Sequence, residues 1–281
     1  MTTTPAAATD ASRAAEDFLR AFHDRMPGLQ SKGTEAAPTR DGRISYEVLA
    51  ERVAGARRVL DLGCADGALL ELLAGRGAEA AGIDLSEGEL ALARRRPALA
   101  GADLRLGRAQ ELPFADASFD AVVCHMALML MADPGRVVAE AARVLARGGT
   151  LAVAVGGGPV PGEAVELFLD VARPFWAAAP ERRIPRLGDR RTRTREGIDG
   201  LLAPLGFAPL SWETVVIGMD GTPEKVWSSL TGAFYDMEAL DEERTAELRA
   251  LFLDRVTGLT EAGGRVPCGM RINVAAARLA R

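Results

Sequence analysis

The sequence predicts an α/β protein: a doubly wound, mostly parallel seven-stranded sheet with helical cover from the N-terminus and from a C-terminal insertion. Two patterns point to it. Short apolar runs stopped by glycine or an acid read as buried strands, and between them lie segments with helical spacing of apolar residues. A third observation is material: 48% of the 281 residues are hydrophobic. A domain of that size buries roughly three quarters of the surface its unfolded chain exposes.

Taken in order, residues 1–10 are small and polar and are expected to be unstructured. From Ala11 to Arg25, apolar residues recur at helical spacing (Ala14, Phe18, Ala21, Phe22) and predict an amphipathic helix. The stretch PGLQSKGTEAAPTRDGR reads as a link, and SYEVLAERVA as a second short helix. Then strand RRVLDLG, helix ADGALLELLAGRG, strand AEAAGIDLS, helix EGELALARRRP and strand ADLRLGRAQ follow. SFDAVVCHM, helix DPGRVVAEAARVLARGG and TLAVAVGGG complete the regular alternation. Beyond Gly158 come two helices, a strand SWETVVIGMD, two helices between Pro223 and Thr260, and a last strand, CGMRINVAAARLA. The division expected is 1–56 for tail and cover helices, then 57–281 for one α/β domain with helical cover at about 223–260.

Composition narrows the function. Net charge is −5, which is not the electrostatic footprint of a nucleic-acid binder. Cys64, Cys124 and Cys268 are odd in number and form no CxxC pair, so neither a disulfide framework nor a zinc site is expected. No basic n-region with an apolar run opens the chain, and no stretch of about 18 apolar residues occurs. The expectation is a cytoplasmic protein without nucleic-acid or membrane partners, monomer or homodimer undecided. Abundant Gly and Ala with few aromatics suggest a GC-rich bacterial genome.

Parallel α/β sheets bind ligands beyond the carboxyl ends of their strands, so residues just after strands carry the information. Asp61-Leu62-Gly63-Cys64-Ala65-Asp66-Gly67 takes a strand through a glycine turn into a helix. A dinucleotide fingerprint would read GxGxxG and place a diphosphate at the helix start. Here Asp66 lies inside the loop and would repel a diphosphate, which suits a ligand bearing an ammonium and a neutral ribose. Asp84 ends the second strand, where an acid can accept hydrogen bonds from ribose hydroxyls. Gly107 to Phe114 offers polar groups on a proline-stiffened loop, and Phe119 to Met126 ends the fourth strand at the same rim.

Together, DLGCADG, GIDLS, AQELPFADASFDAVVC and VLARGGTL resemble the class I S-adenosylmethionine-dependent methyltransferases, in their small-molecule branch with a Rossmann-like sheet. The resemblance covers Arg57 to Val155. It departs from the family at Ala65, where a glycine is frequent; a small residue there still permits close approach. The resemblance implies that Asp61, Gly63 and Ala65 line the methionine end of S-adenosylmethionine. It implies that Asp84 holds the ribose, that Leu85 packs on adenine, and that Ala109 and Gln110 meet the adenine amino group. Cys124 would offer its backbone carbonyl to the cofactor's ammonium, and Arg43 and Tyr46 resemble arm residues that close over its carboxylate.

His125 is a candidate general base, being one of two histidines and the one at the strand rim. His23 reads as a surface or pocket-lining residue. The run Ala127–Met131 reads as core, and Trp176, Trp227, Phe234 and Tyr235 as cover residues divided between core and cavity. The arginine-rich segment 182–195 reads as a solvated loop, with recognition of a substrate carboxylate or phosphate as its alternative. No resident metal is expected. The resulting expectation is methyl transfer from S-adenosylmethionine, yielding S-adenosylhomocysteine, to a small apolar acceptor, with oxygen favoured and specialised metabolism or quinone-type modification as the setting. Three alternatives stay open: a cofactor-binding regulator without turnover, a rearrangement or cyclisation catalyst, and a nicotinamide-dependent oxidoreductase.

Overall fold

A computed structural model of the chain describes residues 10–179 and 183–280. The unstructured tail expected over residues 1–10 lies outside them except for Asp10, and Arg182 lies outside them as well. Seven strands form one sheet: β1 Arg58–Leu62, β2 Glu79–Asp84, β3 Asp103–Leu106, β4 Phe119–His125, β5 Leu145–Pro159, β6 Ser211–Gly218 and β7 Gly269–Arg278. Their order is β3-β2-β1-β4-β5-β7-β6. β1 runs parallel to both β2 and β4, with Leu60 opposite Ala81 on one side and Val122 on the other. β7 alone runs against its neighbours, pairing antiparallel with β5 and β6. The order reverses between β1 and β4, and a ligand crevice belongs beyond their carboxyl ends.

The strand sequences explain the two layers. Successive side chains point to opposite faces, so a strand buried on both sides reads as a continuous apolar run. Leu60, Leu62, Val122 and Val153 join one core layer. Val59, Ala121, Val123 and Ala152 join the other, with Leu49 from the N-terminal cover.

Ten α-helices flank the sheet among the described residues: α1 Asp10–Arg25, α2 Leu29–Ala36, α3 Ser45–Glu51, α4 Ala68–Gly75, α5 Glu87–Ala93, α6 Pro134–Val144, α7 Ala164–Ala177, α8 Arg195–Leu202, α9 Pro223–Ala233 and α10 Glu242–Val256. Several begin on side chains that cap them: Ser86 accepts the Glu89 N–H, Thr222 that of Lys225, and Asp241 that of Arg244. α7, α9 and α10 form their own apolar cluster around Phe168, Trp227 and Phe252. Trp176 packs edge-on and Phe234 stacks against Phe168, so these aromatics build the cover, whereas Tyr235 faces a cavity.

Two sequence expectations change here. The link after Arg25 contains α2, bracketed by Pro27 and Pro38. Gly28, at φ 75°, turns the chain into that helix, and its N–H donates to the buried Glu89 carboxylate. The run Ala127–Met131 is not simply core. Met126 takes φ 55° at the end of β4, and the sharp turn splays the residues that follow. Leu128 is buried, while Ala127, Met129, Leu130 and Met131 line cavities.

Candidate functional site

The crevice at the switch point has two adjoining parts. A narrow cleft of about 90 Å³ lies between α1 and the ends of β1–β3, lined by His23, Asp84, Leu85, Ala109, Gln110 and Met131 among others. A larger chamber of about 390 Å³ continues beneath α2 and α9, bounded by Tyr46, Asp61, Ala65, His125, Tyr235 and Ile272 among others. His23, Gly63, Asp84, Ala127 and Leu130 line both, so the two spaces adjoin.

The loop after β1 is built around glycines that cannot be replaced without displacement. A Cβ on Gly63, at φ +71°, would stand 2.7 Å from the Ala127 Cβ; one on Gly67, at φ +80°, 2.6 Å from Leu99 Cδ1. Asp84 fastens this loop. Its Oδ2 accepts the Ala65 N–H and its Oδ1 the Ser86 N–H, both at 2.9 Å. Burial nevertheless pushes its carboxyl above the usual range, against the pull of those two hydrogen bonds. Each oxygen has a further lone pair to offer a ribose hydroxyl.

Asp61 lies one strand away and is 2% exposed, and its Oδ1 has no hydrogen-bond partner. Burial, with the Asp84 charge second, raises its carboxyl to about 8. A buried carboxylate oxygen left without a donor is costly, and a cationic ligand group would supply one. The ammonium of S-adenosylmethionine is such a group. The residues therefore fit this cofactor: a ribose acceptor at Asp84, an unpartnered acid at Asp61, and a small-residue loop between them.

α1 closes the narrow cleft from above. Asp24 Oδ1 accepts from Ser86 Oγ at 2.6 Å and from the Gly88 N–H at 3.0 Å, which pins α1 to the start of α5. These two hydrogen bonds hold the Asp24 carboxyl below its usual range. His23 bridges Glu89 Oε1 and the Tyr235 hydroxyl, each at 3.0 Å. Glu16 pairs with Arg108 on the same rim.

Of the residues singled out from the sequence, Tyr46, Asp61, Gly63, Ala65, Asp84, Leu85, Ala109, Gln110 and His125 meet at this crevice. Gln110 spends its amide on the Ala132 carbonyl at 2.7 Å, so its Nε2 braces the rim. Arg43 and Cys124 are not among the lining residues. The Arg43 guanidinium is held by Asp41 and Glu51, and the Cys124 side chain is wholly buried within β4. His125 Nε2 lies 2.8 Å from Ser45 Oγ, and its ring packs edge-on to Tyr46 with centroids 4.5 Å apart. Burial lowers it to about 3, so the imidazole stays neutral around pH 7.

Sequence reasoning passed over Glu16, Leu19 and Arg20 on α1, and Lys32 and Lys225 on α2 and α9. For the lysines a signal existed: they are the two lysines in a chain with 34 basic residues. Within the arginine-rich segment, Arg191 is held by Asp189, and Gly188 packs against the Met129 carbonyl so closely that no Cβ fits.

A parallel sheet with an acid-ended β2, a glycine-turned β1 loop and a crevice between β1 and β4 is the layout in which doubly wound α/β folds bind nucleosides. Residues 60–153, about a third of the chain, match the family described as "Methyltransferase domain", and the resemblance to class I S-adenosylmethionine-dependent methyltransferases read from the sequence falls on the same segment. The chain is similar to a ubiquinone biosynthesis O-methyltransferase of Hahella chejuensis, 43% identical over 98 residues, 34% of this chain and 41% of that protein. It is also similar to a demethylmenaquinone methyltransferase of Clavibacter sepedonicus, 35% identical over 140 residues, 49% of this chain and 54% of that one. The chain thus spans about half the length of these relatives or less. A solved phosphoethanolamine N-methyltransferase of Haemonchus contortus, in complex with S-adenosylhomocysteine, shares the fold at TM-score 0.54 and 18% identity, covering 93% of this chain and 60% of that one.

Proposed function

We propose that this protein methylates a hydroxyl oxygen of a small, largely apolar acceptor, with S-adenosylmethionine as methyl donor. The observation that carries the reading is the adjacency of the two cavities, which share His23, Gly63, Asp84, Ala127 and Leu130 in their walls. A nucleoside held at Asp84 would lie beside a chamber with room for a second molecule. The similarity to a ubiquinone biosynthesis O-methyltransferase favours oxygen among the acceptors, and no described helix is long and apolar enough to cross a membrane.

When bound, the cofactor supplies an already activated methyl group. The task left to the chain is to hold and orient, and such alignment supplies roughly 7–11 kcal/mol of barrier reduction. Asp84 and Asp61 hold the ribose and the ammonium. Met126, Met129 and Ile272 wall the acceptor space, where adaptable thioethers fit an apolar ring or chain. Neutral His125, braced by Ser45 and Tyr46, accepts the acceptor's hydroxyl proton. Because burial makes it a weak base, its contribution belongs at the low end of the roughly 10²–10⁴-fold that such groups provide.

The test is incubation of purified protein with methyl-labelled S-adenosylmethionine and a panel of phenols, hydroquinones, amines and activated carbon acids. Label in a phenolic or hydroquinone product, with stoichiometric S-adenosylhomocysteine, is expected. Cofactor binding without label in any product would favour a regulator or a rearrangement catalyst instead.

A further inference from the structure

The chain has two lysines against thirty-two arginines, and both lysines line the same chamber. Lys32 comes from α2 and Lys225 from α9, two helices in contact with each other. Both residues are exposed while also lining the chamber, which places them where it meets solvent. The remaining formally charged residues of the lining are Asp61, which is buried, and Asp84, which is half-buried, at the end away from the lysines.

Charge is therefore sorted along the chamber, with acids inside and cations at the mouth. By contrast Arg25, Arg40, Arg96, Arg108 and Arg143 each pair with a carboxylate. Among the described residues, neither lysine ammonium is engaged with a carboxylate. Gln30, Thr34, Ser228 and Ser229 stand on the same two helices and give the mouth further hydrogen-bonding groups. A lysine ammonium is a compact charge on a flexible stem, able to follow a head group that is not rigidly placed.

We propose that the acceptor is amphiphilic: an anionic head group, carboxylate or phosphate, is bound by Lys32 and Lys225 at the chamber mouth while its apolar body lies inside. This rests on the acceptor chamber assigned above and adds the acceptor's charge. It also gives the acceptor one orientation, because an anion at the inner end would face Asp61 and Asp84. The attraction is partly exposed, so it weakens as salt shortens the Debye length from about 10 Å at 0.1 M to about 3 Å at 1 M.

The test is calorimetric titration of the S-adenosylhomocysteine complex with decanoate, decyl phosphate and decanol, for the wild type and the double variant Lys32→Gln/Lys225→Gln. Decanoate or decyl phosphate is expected to bind about tenfold or more tighter than decanol at low salt, a preference worth about 1.4 kcal/mol. The tighter of the two anions identifies the head group. The double variant is expected to lose the preference while binding decanol and S-adenosylhomocysteine as the wild type does. Equal wild-type affinity for all three probes, or a preference that survives the double substitution, overturns the proposal. Affinity for S-adenosylhomocysteine, read first in the same experiment, tests the cofactor assignment separately.

Discussion

Asp84 Oδ2 accepts the Ala65 N–H at 2.9 Å, so the acid that ends β2 also holds the loop that follows β1. The second oxygen takes the Ser86 N–H. One side chain thus shapes the cofactor loop and presents its remaining lone pairs to the cleft. Asp84→Ala is expected to weaken S-adenosylmethionine binding by more than about tenfold, the loss of at least one charge-assisted hydrogen bond. Calorimetry on the folded variant checks this, and wild-type affinity would remove Asp84 from the ribose.

Asp61 gives a pH dependence with a definite sign. Its carboxyl is raised to about 8 in the folded protein, against about 3.9 in an unfolded chain. Between those values the folded state keeps a proton that the unfolded state has released. The stability that proton contributes is full below about pH 4 and is lost as pH rises toward 8. Cofactor binding runs the other way, since an ammonium favours the ionised form, so affinity should rise with pH up to about 8. Asp61→Asn should flatten both profiles, measured by thermal melts of the free protein and by titrations at several pH values.

Gly67→Ala tests the loop's construction. The added methyl would meet Leu99 Cδ1 at 2.6 Å and the Ala93 Cβ at 3.1 Å, in a left-handed backbone conformation. Overpacking of this kind costs typically about 1–3 kcal/mol, and the conformation about 1–2 more. Denaturant unfolding should show that loss of stability.

How much of this was legible in the sequence varies with the physics. The strands were plain because the middles of β1, β2, β4 and β5 are buried and read as short runs of small and apolar residues. Asp61, Gly63 and Asp84 were legible because strand ends are fixed by the same pattern. α2 was hidden, since its eight residues include Gly33, and its placement depends on a tertiary bond from Gly28 to Glu89. The position of Arg43 outside the crevice lining was not legible, because its partners Asp41 and Glu51 lie close in sequence but give no sign of their geometry. The α1 wall of the cleft rests on contacts such as His23 with Tyr235, 212 residues apart, which no local pattern encodes.

That long-range bond can be tested by itself. Tyr235→Phe removes the hydroxyl that meets His23 Nε2 but keeps the ring that packs edge-on against Phe22. A loss of about 0.5–1.5 kcal/mol in stability is expected for one hydrogen bond. Faster release of S-adenosylhomocysteine should accompany it, because α1 roofs the nucleoside cleft. Stopped-flow dissociation reads this directly.

His125→Ala separates proton transfer from positioning. Turnover is expected to fall toward the low end of the roughly 10²–10⁴-fold range, with cofactor affinity unchanged. Full turnover in the variant would leave His125 as a wall residue held by Ser45 and Tyr46.

The most direct measurement is parallel calorimetric titration of the purified protein with S-adenosylmethionine, S-adenosylhomocysteine and NADH. Micromolar binding of the first two, with none of the third, is the expected result. Binding of NADH with no response to either sulfur compound would contradict the assignment of this crevice to S-adenosylmethionine.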